Sequence, residues 1–175
     1  MTSPDPTPRF CLWCGAPLVL RTLDGHPRHA CSACRFVHYL NPASAAAAVV
    51  VRGREILLTR RGIEPYKDCW GFPAGYQEYT EEPQETAVRE TAEETGVQIE
   101  IVRLLDVLYT RDDPRKRANL HAFLARPVGG ELCAGDDAVA VAWFSLDRLP
   151  EPIGFHNNRV LLDRLLREYP SGAIL

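Results

Sequence analysis

The sequence predicts a mixed α/β protein, in which an α/β sandwich around a mixed β-sheet follows a small cysteine-bearing ribbon. Segments of strand character alternate along the chain with two segments of helical periodicity, and there is no internal repeat. Four of the six cysteines are grouped as two CxxC pairs near the N-terminus. At 175 residues, with 46% hydrophobic residues, the chain is long enough for one core and a small additional module.

The composition and the N-terminal segment indicate a cytoplasmic protein with no membrane partner. Residues 1–9 are polar and proline-rich, lack the apolar region of a secretory signal, and are predicted to be flexible. The longest apolar run, around Ala45–Val51, is too short to span a bilayer. Cysteines remain reduced in the cytoplasm, so disulfides are not expected.

The two CxxC pairs predict a structural zinc site in a ribbon that spans residues 10–42. The four thiolates belong to Cys11, Cys14, Cys31 and Cys34. Two such pairs, sixteen residues apart, bind zinc tetrahedrally and leave no open position for catalysis. A redox function is the alternative, but the surrounding βαβ pattern is missing. Basic residues are too sparse in the ribbon for a nucleic-acid surface, so capping of another domain is the favoured role.

The order of strands and helices in residues 43–175 can also be derived from the sequence. ASAAAAVVVR and EILLTRR predict a β-hairpin, and the glycine- and proline-rich segment after them predicts a loop. A helix is predicted from Pro83 to Thr95, with Gly96 as its stop. VQIEIVRLLDVLYT, ANLHAFLARPV and AVAVAWFSL predict strands, and HNNRVLLDRLLREY predicts a closing amphipathic helix.

The predicted helix lies in an unusually acidic segment. The 23 residues from Gly75 to Val97 contain seven glutamates and one arginine, a net charge of −6 in a chain of net charge −3. A helical wheel predicts that the small residues Ala87, Val88, Thr91, Ala92 and Thr95 face the sheet. Glu90, Glu93 and Glu94 are predicted to occupy the opposite arc. Clustered carboxylates repel one another unless a cation neutralises them, and Mg²⁺ prefers such oxygen ligands.

This segment resembles the Nudix box. The resemblance consists of three parts. Glu81 follows Gly75 after five intervening residues, and the segment RETAEETGV, from Arg89 to Val97, follows Glu81 after seven more. The preceding CWGFPAG is similar to the family's approach to the box, with Ala74 in place of one glycine. The order of elements is similar to the family from about Pro42 to Arg167. A solvated acidic helix face, the alternative, does not require these fixed offsets.

The resemblance implies a Nudix-type α/β/α sandwich and a hydrolase that uses Mg²⁺ or Mn²⁺ to cleave a nucleoside diphosphate linked to another moiety. It implies that Glu93 and Glu94 are metal ligands and that Glu90 is a ligand or the general base. It also implies that the carbonyl of Ala74 is a further ligand and that Arg89 pairs with Glu81 or Glu90. Asp137 is the candidate for an accessory metal ligand or base, with an ordinary polar loop as the alternative.

A zinc ribbon before a Nudix box is similar to two branches of the family. The NADH pyrophosphatase branch normally carries a Ser-Gln-Pro-Trp-Pro-Phe-Pro segment, which residues 98–115 lack. HYLNP, WGFPAGYQE and WFSLDRLP are similar to segments of the FAD and ADP-ribose pyrophosphatases. Hydrolysis of ADP-ribose or FAD to release AMP is therefore the favoured function, with NADH or NAD-cap cleavage and a non-catalytic sensor as alternatives.

The predicted partner is a small nucleotide, and a nucleic-acid partner is not expected. Tyr66 and Tyr76 are candidate aromatic surfaces for a base. Arg111 is the candidate phosphate contact, in a basic loop with Arg115, Lys116 and Arg117; a solvated charged turn is the alternative. Similar proteins are often dimers, so a homodimer is an expectation from the resemblance alone.

Overall fold

The N-terminal unit contains a small antiparallel sheet. The computed structural model describes residues 8–113, 116–170 and 174–175, and the chain divides into two compact units after Pro42. Three strands form the first sheet, in the order β1-β2-β3: β1 (Leu18–Leu23), β2 (His26–Cys31) and β3 (Val37–His38). Most of the predicted flexible terminus, residues 1–7, lies outside the described residues.

A two-residue turn joins β1 to β2. Asp24 and Gly25 have φ angles of 50° and 77°, the positive values that a tight hairpin requires for its strands to twist correctly. The ribbon therefore contains an Asp-Gly β-hairpin.

The second unit is built on a seven-stranded mixed sheet. Its strands are β4 (Ala43–Arg52), β5 (Glu55–Arg61), β6 (Trp70–Gly71), β7 (Ala74–Tyr76), β8 (Val97–Thr110), β9 (Ala118–Gly130) and β10 (Ala138–Ser145). The main order is β10-β5-β4-β9-β8, while β6 pairs with β5 and β7 pairs with β4. The β4–β9 pair is parallel and the other pairs are antiparallel, so the sheet is mixed as predicted.

Two helices cover opposite faces of this sheet. The helices are α1 (Pro83–Thr95) and α2 (His156–Glu168). Strand β4 shows the division, because its side chains alternate between faces. Ala46, Ala48 and Val50 share a core with Ala87 of α1, whereas Val49 and Val51 share a core with Leu161 of α2. The α/β/α sandwich is confirmed, and within the described residues neither helix is long and apolar enough to cross a membrane.

The segment predicted to be a single loop, from Gly62 to Glu78, contains two short strands. β6 pairs with the end of β5, and β7 pairs with Ala45–Ala47 of β4. Their sequence is rich in glycine and proline and carries no strand periodicity, so this structure comes from pairing with distant residues. The pairing fixes the chain immediately before α1.

Candidate active site

Helix α1 begins and ends at points that its sequence determines. Pro83 occupies the first turn, where a missing N–H has no cost. Glu82 and Glu85 form a capping box at the same end. Gly96 has φ of 71°, and its N–H donates to the carbonyl of Ala92 to close the last turn. The helix therefore stops directly after Glu93 and Glu94.

Those two carboxylates stand at the unfavourable end of the helix. The C-terminal end of a helix carries partial negative charge, which repels anions. The last turn of α1 contains no basic residue to offset this repulsion. The acidic turn therefore costs stability, which is the pattern expected of a site that binds a cation.

The structure corrects the predicted orientation of α1. The buried residues of the helix are Thr86, Ala87, Glu90, Thr91, Glu94 and Thr95. Ala92 and Val88 are exposed, although they were expected to face the sheet. Glu90 and Glu94, expected on the outer arc, are only 9% and 6% exposed. The wheel gave the angles correctly, but Glu94 turns inward to Thr59 of β5 and the N–H of Ala74, and Glu90 packs against Gly75 of β7.

Glu94 is a buried carboxylate with few hydrogen-bond donors. The Thr59 hydroxyl donates to its Oε2 at 3.3 Å, and the backbone N–H of Ala74 is a second donor. Burial and, next, the negative charge of Glu90 raise the pKa of Glu94 to about 8, because these donors and Arg61 lower it only in part. A divalent cation would relieve this cost by supplying the missing positive charge.

Glu90 lies against the backbone of Gly75. Burial raises the pKa of this carboxyl group, although Arg89 opposes the shift. A β-carbon at Gly75 would overlap the Glu90 carboxyl group, so only glycine allows this close approach. Strand β7 contains Gly75 and is paired with β4, so the sheet fixes the distance between Gly75 and Glu90.

Arg89 connects the carboxylates of the site. Its Nε donates to Glu81 Oε1 at 2.6 Å, and its Nη1 donates to Glu90 Oε1 at 2.7 Å and to Glu93 Oε2 at 2.9 Å. Its Nη2 donates to the carbonyl of Tyr76 at 3.2 Å. Hydrogen bonding to Arg89 lowers the pKa of Glu81 to about 2, so Glu81 is a fixed anion that orients the guanidinium.

A cavity of about 390 Å³ opens beside Glu90 and Glu94. Such a volume is typical of small-molecule sites. The charged residues that line it with the two glutamates are Arg61, Glu78, Asp113, Lys116, Asp136 and Asp137. Neutral polar residues from the start of α2, Asn157 and Asn158, form another part of the wall.

In the ribbon, the four predicted zinc ligands converge. The Sγ atoms of the four cysteines lie within 4.8 Å of one another. Sγ–Sγ distances are 3.7 Å for Cys11 and Cys34 and 3.5 Å for Cys14 and Cys31. Tetrahedral zinc with Zn–S bonds of about 2.3 Å requires sulfurs about 3.8 Å apart. The cluster therefore fits zinc, and the amides of Ala33 and Cys34 both donate to Cys31 Sγ at 3.3 Å, as suits a thiolate.

Family models match both parts of the chain. The NUDIX domain model matches residues 41–165 of the 175, and a zinc-ribbon model described as "Nudix N-terminal" matches residues 9–40. The chain belongs to the Nudix hydrolase family. The predicted family, fold and enzyme class are confirmed.

Individual Nudix relatives carry different names. The ADP-ribose pyrophosphatase of Methanocaldococcus jannaschii is 37% identical over 126 residues, which cover 71% of this chain and 74% of that protein. NudC of Chromobacterium violaceum, an NAD-capped RNA hydrolase, is 33% identical over 81% of this chain, which spans only 52% of NudC. The crystal structure of a NUDIX hydrolase from Nitrosomonas europaea superposes with a TM-score of 0.84 at 29% identity, covering 93% of this chain and 92% of that one.

The structure brings some of the predicted Nudix site residues together and separates others. Glu90, Glu94, Ala74, Tyr76 and Asp137 line the cavity. Glu93 is outside the lining, and its carboxylate pairs with Arg89. Glu81 and Arg89 do not line the cavity; Arg89 donates to both Glu81 and Glu90 and so holds the Glu90 carboxylate in position.

Two predicted substrate contacts are not part of the cavity wall. The ring of Tyr66 packs against Phe155, with centroids 4.6 Å apart, and its hydroxyl donates to Asp112. Arg111 lies near the ring of Tyr109, whereas Lys116 of the same loop lines the cavity and lies 4.6 Å from the ring of Tyr76. Arg115 of that loop lies outside the described residues.

Several wall residues were not predicted. Arg61, Asp113, Asn157 and Asn158 come from three separate segments of the sequence. No spacing rule links such residues, because their proximity results from the position of α2 against the sheet. The one local signal was the pair of polar residues in an otherwise apolar helical pattern, Asn157 and Asn158.

The donor set of the Nudix site fits a hard divalent cation. Two carboxylates with raised pKa values face one cavity, and a carbonyl-bearing segment, Ala74–Gly75, lies beside them. Mg²⁺ and Mn²⁺ favour oxygen ligands of this kind, and no cysteine or histidine lines the cavity among the described residues.

Gly75→Ala should impair catalysis more than folding. The added methyl group would displace the Glu90 carboxyl group, and we expect kcat to fall by about 10²-fold or more. Steady-state kinetics at saturating Mg²⁺ would measure this. Gly129→Ala is the matched control, because its methyl group would meet only the end of the flexible Gln98 side chain. Equal activities of the two variants would contradict the role of the close approach at Gly75.

Cys14→Ser should remove zinc from the ribbon and leave the Nudix domain folded. We expect one zinc per chain in the natural protein and less than about one tenth of that in the variant, because three thiolates bind zinc far more weakly than four. Elemental analysis of the purified protein would measure the content. Cys133→Ser, which changes an exposed thiol outside the cluster, should keep full zinc content. Retention of zinc by Cys14→Ser would refute the four-cysteine site.

Proposed function

We propose that this chain hydrolyses the pyrophosphate bond of a nucleoside diphosphate linked to another moiety, with ADP-ribose or FAD as substrate and AMP as a product. The observation that carries the proposal is the pair of buried carboxylates, Glu90 and Glu94, at a cavity large enough for a nucleotide. Two buried acidic groups at one cavity, of which only Glu90 is paired with an arginine among the described residues, make this cavity a candidate site for a divalent cation and a phosphate.

The proposed roles follow from the geometry. Glu94 and Glu90 hold the divalent cation with the carbonyl of Ala74, and Glu93 is a further ligand within reach of Arg89. When bound, Mg²⁺ or Mn²⁺ neutralises the pyrophosphate and lowers the pKa of the attacking water. Arg89 and Glu81 keep the carboxylates in place, so little reorganisation accompanies the reaction.

Proton removal from the attacking water requires a carboxylate at the cavity. Glu90 is one candidate, because burial raises its pKa toward that of a useful base. Asp137 is the other: it is exposed at the cavity wall, and its backbone carbonyl accepts from the N–H of Gly62 at 2.7 Å, which fixes its loop beside β5. Comparison of the pH–rate profiles of Glu90→Gln and Asp137→Asn would identify the base. The base is the residue whose substitution removes the fall in rate at acidic pH.

Contacts for the diphosphate are available from two basic side chains on the wall. Lys116 and Arg61 both line the cavity, and Tyr76 lies beside Lys116 as an aromatic surface. We assign the phosphate contact to Lys116 in place of Arg111. The M. jannaschii relative, an ADP-ribose pyrophosphatase by name, supports ADP-ribose as the first substrate to test.

A substrate panel tests the proposal. The protein would be incubated with Mg²⁺ or Mn²⁺ and ADP-ribose, FAD, NADH, a dinucleoside polyphosphate or a nucleoside triphosphate, and the products identified by mass. We expect AMP from ADP-ribose or FAD and no AMP in EDTA. Failure to cleave any of the five compounds with either metal would refute the proposal.

Cleavage of NADH or of an NAD cap on RNA is the second candidate. It is favoured by NudC relatives that match 81% of this chain. Release of nicotinamide mononucleotide from NADH, or of a 5′-monophosphate RNA from NAD-capped RNA, at a higher kcat/KM than AMP from ADP-ribose would select this candidate. We propose that the ribbon, residues 10–42, has a structural role, and an unchanged ADP-ribose kcat/KM in Cys14→Ser would support it.

A further inference from the structure

Two asparagines at the start of α2 form a part of the cavity that the proposed chemistry does not use. Asn157 and Asn158 are only 5% and 8% exposed, yet both line the cavity. A buried carboxamide must place both its donor and its acceptor in hydrogen bonds to avoid a desolvation cost. Within the described residues the two side chains use only their donors, and their oxygens are not among the fully buried polar atoms.

Their amide nitrogens are anchored to the protein. Asn157 Nδ2 donates to Thr110 Oγ1 at 2.9 Å, and Asn158 Nδ2 donates to the carbonyl of Gly154 at 2.9 Å. A carbonyl only accepts, so the Gly154 contact determines which end of the Asn158 amide faces it. Across residues 8–113, 116–170 and 174–175, neither Oδ1 atom accepts a hydrogen bond. Both oxygens thus remain as acceptors beside the cavity; the Gly154 carbonyl fixes the orientation of the Asn158 amide, whereas the Thr110 hydroxyl can pair with either end of the Asn157 amide.

An aromatic ring adjoins these acceptors. Phe155 lines the same cavity and has φ of 51°, a strained value for a phenylalanine. The ring is held by the Tyr66 ring and by the Arg61 guanidinium, which lies 5.3 Å from its centroid. The wall at this end therefore combines a fixed apolar ring with acceptor oxygens.

This end of the cavity lies within one nucleotide's length of the carboxylates. Gly71 contacts the amide of Asn158 and pairs across the sheet with Thr59, whose hydroxyl donates to Glu94. Neighbouring strands are about 4.8 Å apart, so the asparagines are roughly 10 Å from Glu94. A phosphate bound at Glu94 would place its attached nucleoside at α2.

We infer that Asn157 and Asn158 form a base-recognition subsite that accepts hydrogen bonds from the exocyclic amine of adenine. A ribose hydroxyl both donates and accepts, whereas an amine on a purine ring only donates and is attached to an apolar surface. The acceptor pair beside Phe155 matches the amine. A 6-oxo purine would place a third oxygen against these acceptors and offer a single N1–H in place of the two hydrogens of the amine, so the site should bind it more weakly. The inference rests on the proposed function, which supplies an adenine nucleotide as the substrate. It places the adenine of that substrate at α2.

Equilibrium binding of AMP and IMP tests this subsite, because the two differ only at C6, which carries an amine or an oxo group, and at the neighbouring N1, which accepts in AMP and carries a hydrogen in IMP. Calorimetry with Mg²⁺ should show AMP binding at least about tenfold more tightly than IMP to the natural protein. Asn157→Leu, which keeps volume and removes one of the two acceptors, should lose most of the preference for AMP. Asn157→Asp, which keeps an acceptor oxygen, should retain the preference for AMP. Thermal unfolding of each variant would confirm that it folds.

Equal affinities for AMP and IMP in the natural protein, binding of neither, or a preserved AMP preference in Asn157→Leu would overturn the subsite. Cleavage of ADP-ribose, measured in parallel, reports on the proposed function separately. A protein that prefers AMP over IMP but cleaves no substrate would contradict the pyrophosphatase and leave the subsite in place. A protein that cleaves ADP-ribose and its hypoxanthine analogue with equal kcat/KM, and binds AMP and IMP alike, would support the pyrophosphatase and overturn the subsite.

Discussion

Glu94→Gln is expected to lower kcat for ADP-ribose by about 10³-fold or more, equivalent to about 4 kcal/mol of transition-state stabilisation. The substitution keeps the shape of the side chain and an oxygen that accepts from Thr59, but it removes the charge that would hold the cation. Steady-state kinetics over a range of Mg²⁺ concentrations would measure kcat and the apparent affinity for the metal. Glu100→Gln is the matched control, since Glu100 is exposed on β8 and, within the described part of the chain, pairs only with Arg126.

The same variant should be at least as stable as the natural protein without metal. The pKa of Glu94 in the folded state, about 8, is raised above the ordinary value of 4.5. The protonated Glu94 therefore contributes to the free energy of unfolding. This contribution is fully present below pH 4.5 and is lost as pH rises through about 8, because the buried carboxyl group must then lose its proton. The loss is on the order of 4 kcal/mol. Glu94→Gln should remove this pH-dependent loss of stability.

Urea unfolding in EDTA at pH 5 and pH 8.5 would reveal this dependence. The natural protein should lose more stability between the two values than Glu94→Gln, and Mg²⁺ should restore much of the loss in the natural protein alone. Retained catalysis in Glu94→Gln would exclude Glu94 as a metal ligand. An identical pH dependence of unfolding in both proteins would show that Glu94 is not the group that carries it.

Arg89→Ala is expected to reduce the free energy of unfolding by about 3 kcal/mol in the absence of metal. The guanidinium is 29% exposed and contacts three carboxylates, which would repel one another without it. Hydrogen bonding and the charges of these carboxylates raise the pKa of Arg89, so it remains a cation throughout the accessible pH range. Chemical unfolding at low salt would measure the change, and kcat should fall by about 10²-fold because Glu90 and Glu93 are no longer oriented.

Two further variants separate charge from geometry at this position. Arg89→Lys keeps the charge but cannot contact three carboxylates at once, so an intermediate loss is expected. Arg126→Ala breaks a pair that is 58% and 55% exposed and should cost at most about 1 kcal/mol. Equal destabilisation by Arg89→Ala and Arg126→Ala would show that the arginine is not the organising cation of the site.

The sequence predicted the local structure of the site better than its surroundings. Pro83 and Gly96 define both ends of α1 because the constraints on their φ angles act within a few residues. The inward rotation of Glu90 and Glu94 was not predictable, because a wheel shows which residues share a face but not which face the sheet receives. That choice depends on Gly75 and Thr59, which meet the helix only after β5 and β7 have paired with β4.

The far wall of the cavity was the least predictable part. Arg111 and Lys116 lie in one charged loop, and composition alone gave no reason to prefer the second. Asn157 follows β4 by more than a hundred positions, and only the placement of α2 brings it to the cavity. Contacts of this kind depend on long-range packing, which periodicity and motif spacing do not encode.

The position of Arg89 has a consequence for how the enzyme depends on metal supply. An internal cation already holds Glu81, Glu90 and Glu93 together, so the catalytic centre is assembled before any ion arrives. The four thiols of the ribbon have no such internal substitute among the described residues. We therefore expect two kinds of metal dependence in one chain: zinc would be a structural component of the ribbon, whereas the divalent cation of the Nudix site would exchange freely, and its shortage would stop catalysis without unfolding the protein.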